Sequence, residues 1–123
     1  VFSVKDALHI IQTQSADLIS IKLMKTGGIH EALKICAVAE TYGVDCMIGC
    51  MLESKISVSA AAHLAAAKNI ITMVDLDGPS LCRMDVYEGG PLFSGSTIKM
   101  GDANGIGINA FPKAHFKKLG VVK

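Results

Sequence analysis

The sequence predicts an α/β protein built around a parallel sheet. Three apolar runs have the length of strands: residues 17–24, 44–50 and 70–74. They alternate with stretches of helical spacing, and their ends near Lys22, Gly49 and Asp75 are about 26 residues apart, a normal length for a strand followed by a helix. In such an alternation the carboxyl ends of the strands share one face. We therefore expect the functional residues on that face.

Three helices are predicted around these strands. Ser3-Val4-Lys5-Asp6 has the form of a capping box, in which a serine and a later acid satisfy free amides at a helix start, and it predicts a helix over residues 3–14. A second helix follows Gly27-Gly28 and ends at Gly43. An alanine-rich third helix is predicted from Glu53 to Lys68.

The pattern changes after Pro79, which predicts a partial barrel followed by a tail. The spacing suits a (β/α) barrel, but a closed barrel needs eight strands and about 250 residues. Since the chain supplies three such strands and begins with Val1 rather than Met, we expect a fragment of a longer protein. We predict a partial barrel over residues 1–79 and a C-terminal tail over residues 80–123, with a hairpin packed outside the barrel. Residues 111–123 have no clear period, and we expect them to be loosely held.

Composition and charge exclude several classes of function. The formal net charge is +1, with lysines and acids scattered along the chain, so neither nucleic acid nor a membrane is a predicted partner. No apolar run approaches the length of about 18 residues that spans a bilayer, and no signal-peptide pattern opens the chain, so we expect a cytoplasmic protein. The four cysteines lie in apolar segments, which is typical of reduced, packing cysteines. Cys46 and Cys50 lack the second ligand pair that a zinc site needs.

Lys22 is the first candidate for chemistry. Side chains alternate along a strand, so Lys22 points away from the face that carries Ile19 and Ile21. In a barrel these isoleucines would pack on the helices, which directs Lys22 toward the C-terminal mouth, where a partly desolvated amine can take and give a proton. On spacing alone, the alternative is a strand-end lysine that reaches water or pairs with a carboxylate.

The acids near the strand ends are the other candidates. Asp75 and Asp77 share one face of a strand end and could hold a metal or an ammonium group; the alternative is a pair of turn-forming acids before Gly78-Pro79. Glu53 suits the dipole at the start of its helix. His63 has no partner at metal spacing, and we expect it to pack on its helix.

Three segments together carry a resemblance to a known family: "IKLMKTGGIHEALK", "CMIGCMLESKISVSAAAHLAAAK" and "VDLDGP". From about Asp6 to Ile108, the chain resembles the C-terminal part of dipeptide epimerases of the enolase superfamily, of the L-Ala-D/L-Glu epimerase type. The resemblance implies the C-terminal portion of a modified (β/α) TIM barrel, in which the present strands are the sixth, seventh and eighth.

The resemblance also implies an isomerase that inverts the α-carbon of the second residue of a dipeptide by Mg²⁺-assisted proton transfer between two lysines. Lys22 would be one of these lysines, and Asp75 with Asp77 would bind the substrate's α-ammonium. The expected lining of the pocket is Cys50, Met51 and Leu52. The ligands of Mg²⁺, the partner lysine and the capping domain are expected in the remainder of the enzyme, so no metal ligand is assigned in this chain and we expect it to be inactive alone.

Two alternatives stay open. The first is another enolase-superfamily enzyme, of the muconate cycloisomerase or o-succinylbenzoate synthase type. Asp75 and Asp77 argue against it, because those substrates have no ammonium group. The second is a small non-catalytic α/β fragment in which Lys22 and both acids are structural. The sequence also leaves open the preferred dipeptide and whether the parent is a homo-oligomer.

Overall fold

The computed structural model describes residues 1–110 of the chain. Its first part contains α1 Val4–Gln12, β1 Leu18–Lys22, α2 Leu23–Thr26, α3 Ile29–Tyr42, β2 Asp45–Gly49, α4 Lys55–Ala67 and β3 Ile71–Asp75. A 3₁₀ helix at Gly78–Leu81 precedes four short strands, β4 Glu88–Gly89, β5 Leu92–Ser94, β6 Thr97–Lys99 and β7 Ile108–Ala110. The predicted α/β class is confirmed.

A parallel sheet of three strands organises the molecule, as the alternation of strands and helices predicts. Its order is β1-β2-β3, so β2 lies in the centre and β1 and β3 form the edges. The core packs one face of this sheet against the helices, and Ile19, Ile21 and Ile48 are its largest strand side chains. Burial of such a side chain stabilises a fold by about 1.5–3 kcal/mol. The predicted packing of the β1 isoleucines against the helices is therefore confirmed.

The first strand was predicted over residues 17–24, and this prediction is too long at its carboxyl end. The strand ends at Lys22, and Leu23–Thr26 forms the single turn α2, which Gly27 closes in the left-handed conformation. Buried Leu23 anchors this turn, while Met24 and Lys25 are exposed. Because the chain leaves the strand after Lys22, that residue occupies the last position of β1.

The helix starts show one confirmed and one wrong prediction. The capping box at Ser3 and Asp6 is present, with each side chain accepting a hydrogen bond from the other residue's backbone N–H, at 3.2 and 3.0 Å. The third predicted helix, α4, begins at Lys55 instead of Glu53, because Ser54 has an extended backbone and takes the N-cap position.

The cysteines fall into two groups. All four are free, and Cys36 and Cys46 are fully buried in the core, as predicted for packing cysteines. The adjacent Cys36 thiol and burial raise the pKa of Cys46 above its ordinary value. Cys50 is half-buried, and Cys82 is exposed, so the prediction that every cysteine packs in the core is wrong for Cys82.

The C-terminal part consists of two antiparallel pairs. β5 and β6 form a hairpin, and Phe93 and Ile98 from its two strands pack against the core. The strand predicted after "GDANGIGI" is β7, which pairs with β4. The division of the chain at residue 79 stays a prediction, and the expectation for residues 111–123 lies outside the described residues. None of the helices within residues 1–110 is long and apolar enough to cross a membrane.

Candidate active site

Lys22, Gly49 and Asp75 form a row across the carboxyl ends of the three parallel strands, here called the carboxyl-end row. The register pairs Lys22 of β1 with Gly49 of β2, and Gly49 with Asp75 of β3. Residues paired in this way lie on the same face of a sheet, and neighbouring strands are about 4.8 Å apart. The backbones of Lys22 and Asp75 are therefore about 10 Å apart, and Gly49 between them contributes no side chain.

The side chain of Lys22 crosses β2 at Gly49. A Cβ atom placed on Gly49 would lie 3.3 Å from Cε and 3.7 Å from Cγ of Lys22. The half-buried lysine then donates a hydrogen bond from Nζ to the backbone carbonyl oxygen of Cys50, at 2.9 Å. Within residues 1–110 no carboxylate lies at ion-pair distance from Nζ. Within this part of the chain the alternative interpretation, in which Lys22 pairs with a carboxylate, does not apply.

The two aspartates lie at and just after the end of β3. Asp75 is its last residue, and Asp77 lies at the start of the segment that we call the β3 turn, residues 76–81. Both are exposed, whereas Leu76 between them is only 3% exposed. Val74 is half exposed, so β3 itself does not show the predicted alternation of buried and exposed side chains. Both aspartates line a cavity of about 220 Å³ together with Ser80 and part of the β5–β6 hairpin.

Hydrogen bonds to a backbone carbonyl oxygen, not to a carboxylate, hold the β3 turn together. The carbonyl oxygen of Asp77 accepts hydrogen bonds from the N–H and the hydroxyl of Ser80, at 2.9 and 2.6 Å. Neither the Asp75 nor the Asp77 carboxylate has a hydrogen bond or ion pair to a group within residues 1–110. Their carboxylates are therefore free to bind a ligand, which a purely turn-forming role would not require.

Glu53 has a different role from the predicted one. It precedes α4, is only 6% exposed, and accepts hydrogen bonds from the backbone N–H of Met51, at 2.7 Å, and from the hydroxyl of Ser57. Its carboxylate thereby fixes the segment that we call the β2 loop, residues 50–54, to the first turn of α4. The spacing of an acid four residues before a serine, across the predicted start of the helix, could have indicated this hydrogen bond from the sequence.

Cys50 connects Lys22 to the β3 turn. Its carbonyl oxygen accepts the hydrogen bond from Lys22, and its thiol faces Gly78, where an added Cβ would lie 3.2 Å from Sγ and 3.0 Å from the carbonyl oxygen of Met51. Burial raises the pKa of the Cys50 thiol above its ordinary value, the backbone N–H of Gly78 acts in the opposite direction, and the charge of Asp77 adds to the rise.

The other two residues expected in the pocket lie on the surface. Met51 is 41% and Leu52 82% exposed. Leu52 contributes to a second cavity, of about 290 Å³, which Pro79, Cys82 and Met84 also line. The structure thus brings Cys50 to Lys22, whereas Leu52 lines this second cavity. That all three line a substrate pocket stays a prediction.

The described residues do not by themselves form a metal centre. Within residues 1–110, no three His, Cys, Asp or Glu side chains are arranged so that they could hold one ion. Asp75 and Asp77 offer oxygen ligands of the kind that Mg²⁺ prefers, but a third acid does not join them in this part of the chain. These residues therefore do not fit a Mg²⁺ site.

Comparison with known proteins gives the family. The sequence pattern of the family described as Enolase C-terminal domain-like matches residues 1–114. The chain belongs to this family. Among its relatives, the L-Ala-D/L-Glu epimerase of Clostridium acetobutylicum is 61% identical over 108 residues, which are 88% of this chain and 30% of that protein. This chain therefore spans about 30% of the length of the curated relatives that it matches.

Solved structures of the enolase family give the same result. The substrate-liganded L-Ala-D/L-Glu epimerase of Bacillus subtilis superposes with a TM-score of 0.88 and 51% identity, over 91% of this chain and 31% of that one. The dipeptide epimerase of Enterococcus faecalis, in complex with Mg and L-Leu-L-Tyr, has a TM-score of 0.85 and 46% identity, over 89% of this chain and 32% of that one. The fold predicted from the resemblance is confirmed.

Proposed function

We propose that this chain is the part of a dipeptide epimerase that carries one acid/base lysine and the acids that bind the substrate's ammonium group. The carboxyl-end row is the observation that carries the proposal. It places Lys22 and Asp75, whose carboxylate is free, on the same face of the sheet, with their backbones about 10 Å apart. The two Cα atoms of a dipeptide are about 3.8 Å apart, so the substrate and the two side chains can bridge this span.

In the proposed reaction Lys22 acts on the α-carbon of the second residue. Its unprotonated amine takes the α-proton, so that the C–H bond breaks, an N–H bond forms and the electron pair stays on the substrate. A second lysine, in another part of the parent, returns a proton on the opposite face of the carbon. Asp75 and Asp77 accept charge-assisted hydrogen bonds from the substrate's ammonium group, which orient the dipeptide for this transfer.

The parent enzyme would supply the parts that the described residues lack. We include Mg²⁺ in the proposal because a similar dipeptide epimerase has been solved in complex with Mg. We propose that its ligands lie in the remainder of the barrel. The edges of the sheet support a larger assembly. Met73 and Val74 on β3 are half exposed, and no strand within residues 1–110 pairs with the outer edge of β3. The remaining strands and a capping domain would cover these surfaces. We also propose a cytoplasmic location, in keeping with four free cysteines.

The test uses the full-length parent with Mg²⁺ and the two epimers of L-Ala-Glu. We expect exchange of the α-proton into deuterated solvent and interconversion of the epimers. Lys22→Ala should lower epimerisation by about 10²–10⁴-fold, the usual contribution of an acid/base group, and leave dipeptide binding in calorimetry intact.

The matched control for this test is Lys25→Ala. Lys25 is exposed, and its Nζ lies 5.6 Å from the ring centroid of Phe2, so its removal should leave the rate unchanged. Wild-type rates in Lys22→Ala, for both epimers, would refute the assignment. A substrate with an acetylated amino terminus should react poorly. Equal rates with and without acetylation would favour the cycloisomerase or synthase classes, whose substrates lack an ammonium group.

A further inference from the structure

We infer that Gly49 is a positioning residue of this site, because its lack of a side chain lets Lys22 cross β2 and keeps the span between Lys22 and Asp75 open for substrate. The inference rests on the proposed function. Glycine weakens the interior of a strand, and it often marks a place where a ligand or another chain segment approaches closely. Gly49 is the last residue of the central strand and is buried.

The backbone at this position does not require glycine. Gly49 is absent from the glycines with positive φ, so an alanine there would meet no conformational strain. The sheet would also accept a methyl group, since the added Cβ would lie 3.7 Å from the carbonyl oxygen of Asp75, an ordinary contact. The crowded neighbour is instead the lysine, whose Cε would lie at 3.3 Å. The need for glycine therefore comes from the path of the Lys22 side chain.

A small shift of that side chain would act on the proton transfer. Carbon atoms pack best at about 3.5–4.0 Å, so a methyl group at position 49 would push Cε of Lys22 away by a few tenths of an ångström. The Nζ atom, which reaches the carbonyl oxygen of Cys50, would move with it. Because a misplacement of about 1 Å can slow an enzyme by about 10²-fold, we expect a loss of about tenfold in kcat.

The effect should be selective for one epimer. Lys22 serves one face of the α-carbon, so Gly49→Ala should slow α-proton exchange of the epimer whose proton faces Lys22 and spare exchange of the other. KM should change little, because the contact with Asp75 stays ordinary. Gly49→Val, whose larger side chain enters the open span itself, should in addition raise KM. A general loss of structure would lower both exchange rates together.

The experiment compares Gly49→Ala with Gly101→Ala in the full-length parent. Gly101 also lacks a positive φ, and a Cβ there would have no atom within 4 Å, so this control tests alanine without crowding. Exchange of each L-Ala-Glu epimer in deuterated solvent is followed by NMR. We expect an about tenfold slower exchange of one epimer in Gly49→Ala and wild-type exchange in Gly101→Ala. If each epimer exchanged in Gly49→Ala at its wild-type rate, the inference would be overturned.

A double variant covers the case in which Gly49→Ala does not fold. Lys22→Ala removes the crowded side chain, so Gly49→Ala combined with Lys22→Ala should fold and exchange at the rates of Lys22→Ala alone. A double variant that stays unfolded, or that loses the remaining exchange, would refute action through Lys22. Failure of the proposed function is distinct, since wild-type parent would then exchange neither epimer, and the inference would fall with it.

Discussion

The β2 loop and the β3 turn lie at the same end of the sheet and both carry acids, yet the structure uses these acids in opposite ways. Glu53 in the β2 loop is buried and its carboxylate binds a backbone N–H and a hydroxyl. Asp75 and Asp77, at the β3 turn, are exposed, and backbone groups hold the turn without them. The comparison shows that the hydrogen-bond partners of an acid, more than its place at the carboxyl end of the sheet, separate a structural carboxylate from one that is free to bind a ligand.

The largest effect should come from the two free aspartates. Asp75→Asn combined with Asp77→Asn removes two charges that we expect to bind the substrate's ammonium group. A hydrogen bond to a charged group contributes about 1.5–3 kcal/mol, so the loss of two such bonds should lower kcat/KM of the parent by about 10²–10⁴-fold. Steady-state kinetics with L-Ala-Glu measures the loss. The unfolding midpoint should stay unchanged. A large drop in the midpoint together with unchanged kinetics would show that Asp75 and Asp77 are structural and do not bind substrate.

The sequence could predict which residues are available, but not how the strands align them. Alternation along β1 placed Lys22 opposite the isoleucines, and the structure agrees. The pairing of Gly49 with Asp75, however, depends on a register shift between Cys46 and Met47. Without that shift Gly49 would face Val74, and Asp75 would lie on the other side of the sheet. Because a bulge has no signature in these apolar runs, the carboxyl-end row could not be derived from the sequence.

The predictions at the helix and strand ends failed for a related reason. The local pattern predicted Glu53 as the first residue of a helix, since an acid at that position suits the helix dipole. Its actual partners lie on both sides of the helix start, and only the path of the β2 loop brings them together. Likewise, the single turn α2 continues an apolar run, so the pattern alone extended β1 beyond Lys22.

An intermediate effect is expected when the β2 loop loses its acid. Glu53→Ala leaves the N–H of Met51 and the hydroxyl of Ser57 without their acceptor, which costs on the order of 1–3 kcal/mol. Chemical denaturation of the parent should show this loss in the free energy of unfolding. Glu53→Gln keeps one acceptor oxygen and should lose less. If Glu53→Ala instead unfolds like wild type while KM rises, this acid binds substrate and the contrast between the two segments is wrong.

The smallest effect concerns Asp6, which sharpens the comparison because it is partly exposed and yet hydrogen-bonded. The backbone N–H of Phe2 lowers the pKa of this carboxyl, burial opposes the shift, and the Ser3 hydroxyl and N–H add to the lowering. Since the folded value lies below the unfolded one, the stabilisation is present above the unfolded pKa and is lost as the pH falls through the folded pKa.

Asp6→Asn should therefore reduce the stability of the parent at neutral pH and change it less on acidification. We expect the difference in unfolding free energy between wild type and Asp6→Asn to shrink as the pH falls from about 5 to about 2, because protonation gives wild-type Asp6 the same loss of charge. Denaturation at a series of pH values measures that difference. If this difference in unfolding free energy did not change with pH, the charge of Asp6 would not contribute to stability. Hydrogen bonds to a carboxylate that is not buried would then be insufficient to make its charge stabilising.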